Sequence, residues 1–334
     1  MTNKLRTVHI GLGHMGAEIA RLVHRRDDME IVGGVDVAPD KVAADLGEVI
    51  GLQNRLNIAV AGTIEAALSE TQADVAIQAT GSYLPQVYPQ LVQLVESGLH
   101  VVSTCEELAY PAWQYPELAA ELDRLARQRG VAVLGTGVNP GFVMDRLPVT
   151  LSGVCQEVRS VRVTRVVDAA RRRLPLQQKT GAGLTAAEFA ARVQAKAIRH
   201  VGLPESIALI AKALGWTLDD IQETIEPVIA QRPLASEFIT VAPGQVAGLH
   251  QVGRGLVGGR EVITLDLWMT LQAENPRDEV QIAGIPPMHM VIGNGTHGDR
   301  ATVAAMVNAI PLVAAASPGL KTVLDLPAAA GWGV

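Results

Sequence analysis

The stretch TVHIGLGHMGAEIARLV, residues 7–23, constrains the fold more than any other. A short apolar run, Val8 to Ile10, enters Gly11, Gly13 and Gly16 at G-x-G-x-x-G spacing, and Ile19, Ala20, Leu22 and Val23 then recur at helical spacing. A strand that turns sharply into a helix leaves the first helical amides without partners at the positive end of the dipole, where an anion is stabilised. Gly11 permits the tight turn, Gly13 lets the backbone approach a pyrophosphate, and Gly16 lets helix and strand pack closely. The amides of His14 and Met15 lie at that helix start. A second apolar strand, Ile31 to Val35, ends at Asp36, twenty positions after Gly16, close to the spacing of an acid that binds the adenine ribose. The glycine spacing alone is weak evidence. Its place between strand and helix, with the acid following, favours a dinucleotide-binding loop over a glycine turn with no ligand. Asp36 should accept the ribose hydroxyls and repel a 2'-phosphate, and Val37 and Ala38 offer no cation, so NAD is favoured over NADP, with Lys41 able to reach back.

The alternation continues. ADVAIQAT reads as a strand ending at Gly81 and Ser82, VYPQLVQLVESG as a helix closed by Gly98, HVVST as the next strand, PELAAELDRLARQRG as a helix closed by Gly130, and VAVLGTG as another strand. This order argues a parallel, doubly wound sheet, in which ligands bind beyond the carboxyl ends of the strands. The loops holding Gly81 and Ser82, Glu106, and Gly137 to Asn139 therefore converge where a nicotinamide would lie. The middle loop sets two carboxylates, Glu106 and Glu107, beside the thiol of Cys105. On pattern alone they fit either a solvated approach to a helix or the working end of a site.

Near Asn139 the texture changes, and EVRSVRVTRVVDA follows as a long β-rich run. Period two puts Val161, Val163, Arg165 and Val167 on one face and Arg162, Thr164, Val166 and Asp168 on the other. A guanidinium among valines needs an anionic or hydrogen-bonding partner, such as a substrate carboxylate or an interdomain salt bridge. TAAEFAARVQAKAIRHVG reads as a helix with Thr185 as N-cap and Glu188 completing a capping box. His200 at its end either lines a site or contacts carbonyls, and His250 sits in a glycine-flanked loop that suits a site or a turn. Arg171, Arg172 and Arg173 form a run that is ordinarily solvated, although one could hold a carboxylate. VITLDLWMTL is a strong strand with Asp266 and Trp268 on its more polar face, and DRATVAAMVNAIPLVAAA is helical until Pro311 breaks it.

At 334 residues and 48% hydrophobic, the chain can build about two cores: a dinucleotide-binding domain over 1–138 and an α+β domain over 139–300, with helices at about 300–334 able to pack back on the first. By analogy, the second domain serves substrate binding and dimerisation. A net charge of -6 gives no support to nucleic-acid binding. No run of about 18 apolar residues and no signal-peptide core occur, so no membrane association is expected. Two cysteines, Cys105 and Cys155, form no framework and suit a reduced, cytoplasmic setting. No cluster has metal spacing, so no metal is expected.

GLGHMG, STCEELAYP, LGTGVNPGFVMDRLPVTLSGVCQ, RHVGLPESIALIAKALGW and DRATVAAMVNAIPLV together resemble the 2,4-diaminopentanoate dehydrogenase group, which includes the native amine dehydrogenases. This group is a branch of the dihydrodipicolinate-reductase-like and homoserine-dehydrogenase-like oxidoreductases. The resemblance implies an N-terminal Rossmann domain, a C-terminal α+β domain completing the site, a homodimer, and NAD(P)-linked interconversion of an amine with a ketone plus ammonia. Homoserine-dehydrogenase-like relatives carry a lysine after this strand, and VVSTCE laid on that pattern puts Glu106 at the lysine position. The amine-dehydrogenase branch has glutamate there. A lysine suits an oxyanion, whereas a carboxylate attracts an ammonium and accepts its proton. Glu107 would point elsewhere, remaining with Asn139, Arg165, His200 and His250 among residues that could meet substrate. DAARRRLPLQQKTGAG departs from the small-amine dehydrogenases, which weakens any transfer of their substrate pocket. The competing readings are a carbonyl reductase of the same fold without ammonia chemistry and a non-catalytic nucleotide sensor.

Overall fold

A computed structural model describes residues 4–69 and 71–333. The chain forms two compact units, one from the residues through Phe142 together with those from His297 onward, the other from Val143–Thr296.

The first unit opens with β1 (Leu5–Ile10), α1 (His14–His24), β2 (Met29–Val35), the short helices α2 (Leu46–Val49) and α3 (Ile64–Leu68), and β3 (Val75–Gln78). It continues through α4 (Leu84–Glu96), β4 (His100–Ser103), a 3-10 turn over Glu106–Ala109, α5 (Pro116–Arg129) and β5 (Ala132–Gly135). The strands lie in the order β5-β4-β3-β1-β2, all parallel. Both faces of such a sheet are covered, which is why its strands are short unbroken apolar runs. Val8, Ile10, Ala76, Val101 and Val133 pack in one core with Leu84, Leu91 and Leu94 of α4 and Leu122 and Ala126 of α5. Because β1 lies between β2 and β3, the winding reverses there, and the loops after β1 and β3 flank the crevice where ligands bind.

The second unit runs through α6 (Arg146–Ser152), β6 (Glu157–Asp168), α7 (Leu174–Lys179), α8 (Ala186–Gln194), α9 (Leu203–Ala213) and β7 (Asp220–Ile229). A small hairpin, β8 (Leu234–Ala235) with β9 (Thr240–Val241), precedes β10 (Val246–Val257), β11 (Arg260–Thr270), β12 (Arg277–Ile285) and β13 (Met288–Gly293). Its mixed sheet has the order β13-β12-β6-β11-β10-β7, with only β6 and β11 parallel. The chain then returns to the first unit as α10 (Gly298–Ala314) and β14 (Gly319–Lys321), which adds a sixth parallel strand beside β5. Among the described residues no helix is long and apolar enough to cross a membrane.

Four local expectations need correction. The first unit extends to Phe142 rather than 138, because the turn at Gly141 (φ +122) folds back so closely that a Cβ there would lie 2.5 Å from the Gly137 amide nitrogen. Helix α8 has its Thr185–Glu188 capping box but stops at Gln194, where Lys196 turns left-handed (φ 57) and buries Ile198 against Phe189 and Leu249. His200 thus precedes a helix instead of ending one. Pro311 does not break α10, which runs on to Ala314 with Val303, Met306, Val307, Ile310 and Val313 buried. Proline removes one amide donor from the ladder, and this buried face outweighs that loss. His250 lies within β10, not in a loop, since Gly248 serves close strand approach: a Cβ there would sit 2.1 Å from the Met269 carbonyl of β11.

Candidate active site

The three loop glycines have three different reasons to be glycine. Gly11 has φ +86, and a Cβ on it would lie 2.7 Å from the Ala79 carbonyl oxygen in the loop after β3. A Cβ on Gly16 would lie 1.9 Å from the Gly11 carbonyl oxygen. On Gly13 it would meet nothing within 4 Å. The fold therefore needs Gly11 and Gly16, whereas Gly13 leaves space over the start of α1. No side chain caps that helix, so the first-turn amides of His14, Met15 and Gly16 face this space. The His14 side chain is exposed, which leaves its backbone as the useful donor. An open cradle over helix-start amides fits the pyrophosphate of a dinucleotide.

Asp36 lies beyond the end of β2, next to this loop. Its carboxylate accepts the Leu12 amide at 2.8 Å and Lys41 Nζ at 2.9 Å on one oxygen, and the Ala38 amide at 2.9 Å on the other. Burial pushes this carboxyl up, but the hydrogen bonds from Ala38, Lys41 and Leu12 more than reverse it, and its pKa falls below the usual carboxylate range. Val37 beside it is 84% exposed, an unusual placement for an apolar side chain.

The loop after β4 is bolted to the loop after β3. Cys105 Sγ donates to the Ser82 carbonyl at 3.3 Å, and the Glu107 amide donates to the same oxygen at 3.3 Å. The Glu107 carboxylate, 4% exposed, accepts the Leu84 amide at 2.7 Å and the Tyr115 hydroxyl at 3.3 Å. Glu107 is thus a cap for α4, and this corrects its candidacy for substrate contact. Glu106 is half-buried at the start of the same turn. Burial pushes the Cys105 thiol far above its ordinary pKa, so it stays protonated and inert. Beneath these loops, Gln78 bonds Ser103, Thr80 and Gln90 in a partly buried polar chain, and the Cys105 amide donates to Ser103 Oγ at 3.0 Å. The Thr136 amide donates to the Ser103 carbonyl at 2.9 Å, which brings the loop carrying Asn139 beside the Glu106 loop. Asn139 is nearly buried and joined to Pro140 by a cis bond.

In the second unit, Arg165 is committed to the sheet. Its Nη1 donates to Asp278 Oδ1 at 2.6 Å and to Thr296 Oγ1 at 2.7 Å, and its Nη2 to the Thr296 carbonyl at 2.9 Å. The side chains of Arg165 and Asp278 are 4% and 1% exposed. This corrects both earlier options: the partner is neither a substrate nor across a domain boundary, since β6 and β12 are neighbours in one sheet. The arginine run divides, with Arg171 exposed and Arg172 buried.

His200 is fixed through its backbone: Gln251 Oε1 accepts its amide at 2.8 Å, and Gln251 Nε2 donates to its carbonyl at 2.9 Å. His250 stacks on Trp268 at 3.6 Å between ring centroids and meets Asp266 Oδ1 at 2.8 Å. Adjacent residues of β10 point to opposite faces, so His250 lies on the face away from Gln251, and the structure does not bring the two histidines together. Neither the Glu107 cap nor the Gln251 clamp has a local signal in the sequence, since the partners lie 23 and 51 positions away. Among the described residues no group of three or more His, Cys, Asp or Glu side chains could hold a metal ion.

Residues 142–333 match the family described as 2,4-diaminopentanoate dehydrogenase C-terminal domain, and residues 6–105 match dihydrodipicolinate reductase, N-terminus. The chain is 35% identical to a 2,4-diaminopentanoate dehydrogenase of Acetoanaerobium sticklandii over 97% of this chain and 94% of that one. It is 26% identical to an amine dehydrogenase of Streptomyces virginiae over 96% of each. The solved amine dehydrogenase from Mycobacterium smegmatis superposes with a TM-score of 0.86 at 30% identity, covering 98% of this chain and 97% of that one.

Proposed function

The chain belongs to the 2,4-diaminopentanoate dehydrogenase family, and from that premise we propose that it oxidatively deaminates an amine or diamino acid to a ketone plus ammonia, and catalyses the reverse reductive amination. It is an NAD(P)-dependent oxidoreductase acting on a CH–NH2 group. The observation that supports this reading is the different burial of two adjacent acids: Glu107 is buried as a helix cap, and Glu106 is half-buried in the turn that follows the carboxyl end of β4.

The bound nicotinamide supplies the hydride acceptor or, in reverse, the donor. Gly11, Gly13, Gly16 and the amides of His14 and Met15 would hold the pyrophosphate, Asp36 would take the ribose, and Gly81 and Ser82 would line the approach to the nicotinamide. Asp36 favours NAD. Glu106 attracts the substrate ammonium and accepts a proton on its carboxylate, so that the nitrogen lone pair is available when the C–H bond breaks. In the deaminating direction the same carboxylate then activates the water that hydrolyses the iminium to ketone and ammonia; in the reverse direction it stabilises the iminium that hydride attacks. Asn139 and His200 remain candidates for substrate contact, and a cytoplasmic homodimer is the expected working form.

Turnover of NADH or NADPH with a ketone, with and without ammonium, tests the reaction. Ammonium-dependent consumption supports reductive amination. Equal rates without ammonium indicate a carbonyl reductase, and nucleotide binding without turnover indicates a sensor.

A further inference from the structure

We propose that Gln78 is a positioning residue, which sets the spacing between the loop of Gly81 and Ser82 and the turn carrying Glu106 by tying the two together at their roots. The proposal rests on the reading of Glu106 as the proton acceptor. On that reading hydride and proton leave one substrate carbon and its nitrogen toward groups on two different loops, so the distance between those loops bears directly on rate. Gln78 and Ser103 are the last residues of β3 and β4, they lie side by side in register, and neither is exposed at all.

The Ser103 hydroxyl donates to Gln78 Oε1 and accepts the amide of Cys105, the residue before Glu106, at 3.0 Å. The Gln78 amide group directs its hydrogens to Thr80 Oγ1, one residue before Gly81, and to Gln90 Oε1 of α4 at 3.3 Å. Thus one side chain reaches the root of both loops and the helix between them. The far end of that helix is tied to the same turn, since Leu84 donates its amide to Glu107. An apolar pair of the same shape would fill this space at little cost in stability. It would not supply direction: hydrogen bonds fix the angle at which each loop leaves its strand, whereas packing fixes only the volume.

Gln78→Met keeps the length of the side chain and removes its bonds to Ser103, Thr80 and Gln90. Ser103→Ala breaks the tie from the other strand and serves if Gln78→Met does not fold. Stopped-flow mixing of the NAD-loaded enzyme with 2,4-diaminopentanoate reads the first turnover. In either variant its rate constant should fall by about ten- to a hundredfold, the effect of a misplacement of about 1 Å, while its amplitude holds. Affinity for 5'-ADP should change by no more than about threefold. Hydrogen–deuterium exchange should quicken in residues 79–84 and 104–109, with β1 and β5 still protected. The double variant should lose less than the product of the two single losses, because both act through one bond. A lower amplitude at an unchanged rate constant would make Gln78 a merely structural residue and overturn the proposal. Wild-type kinetics in the variants, or single losses that multiply in full, would overturn it as well. A wild type that reduces a ketone without ammonium would refute only the amine chemistry, and the same variants read on NADH consumption would still decide the role of Gln78. A wild type that binds nucleotide without any turnover would refute both.

Discussion

Glu107 accepts the backbone amide of Leu84 at 2.7 Å, and this bond gives the second of two adjacent acids a structural task. A carboxylate at a helix start satisfies an orphan donor and complements the dipole. Glu106→Gln should therefore lower turnover by roughly 10²–10⁴-fold, the usual loss for a general base, and leave nucleotide affinity nearly unchanged. Glu107→Gln should instead destabilise the first unit by about 1–3 kcal/mol with turnover largely retained in the folded fraction. Steady-state kinetics beside thermal melts separate the two; an inactive but fully stable Glu107→Gln would transfer the catalytic role to Glu107.

The loop glycines should respond in opposite ways. Gly13→Ala adds a methyl where nothing lies within 4 Å, so the melting temperature should hold. The methyl would occupy the cradle, and nucleotide affinity should fall about tenfold, as for one lost charge-assisted bond. Gly16→Ala drives a Cβ to 1.9 Å from the Gly11 carbonyl oxygen and should unfold or distort the loop before binding is measured. Tight nucleotide binding by Gly13→Ala would show that the space over α1 is not where the phosphates sit.

Arg165→Met would strand Asp278, which is 1% exposed, without its cation. Breaking a buried pair from one side costs about 3–5 kcal/mol. Denaturant melts should show this loss, and carboxylate-bearing and simple amines should suffer alike. A selective loss for the acids at unchanged stability would return Arg165 to the substrate site.

His9 gives the first unit a dependence on pH. It is 1% exposed within β1, and burial pushes its pKa down to about 3. The folded histidine stays neutral while the unfolded one takes a proton below about pH 6.5. Its contribution is thus complete above that value and is lost as pH falls toward 3. Each unit of pH in that window costs up to about 1.4 kcal/mol. Burial also depresses His100, which adds to the slope. Urea denaturation between pH 7.5 and 5.5 should show the decline, and His9→Gln should flatten it; an unchanged slope in that variant would assign it elsewhere.

What was legible in the sequence was local. The glycine spacing, the apolar stripe from Ile19 to Val23 and the acid at Asp36 all lie within about thirty residues, and periodicity reads such distances well. The same holds for the two faces of β6 and the Thr185–Glu188 box. What stayed hidden needs partners far along the chain. Arg165 and Asp278 are 113 positions apart, and Leu84 and Glu107 are 23 apart. Local pattern misleads at Pro311 and His250 for a related reason: propensity is overridden when a buried face or a neighbouring strand decides the outcome. Glu106 was distinguished from Glu107 only by resemblance to a family, because two adjacent acids have no period.

The position of β14 bears on how the chain acquires its structure during synthesis. This strand pairs with β5 in parallel, yet the whole second unit, Val143–Thr296, is translated between them. An emerging chain can wind β1 through β5 early, but β5 then stands as an open edge until Gly319 has left the ribosome. The sixth strand joins the sheet only after the second unit has been made, so a chain truncated before Gly319 would carry β5 as an unpaired, template-like edge.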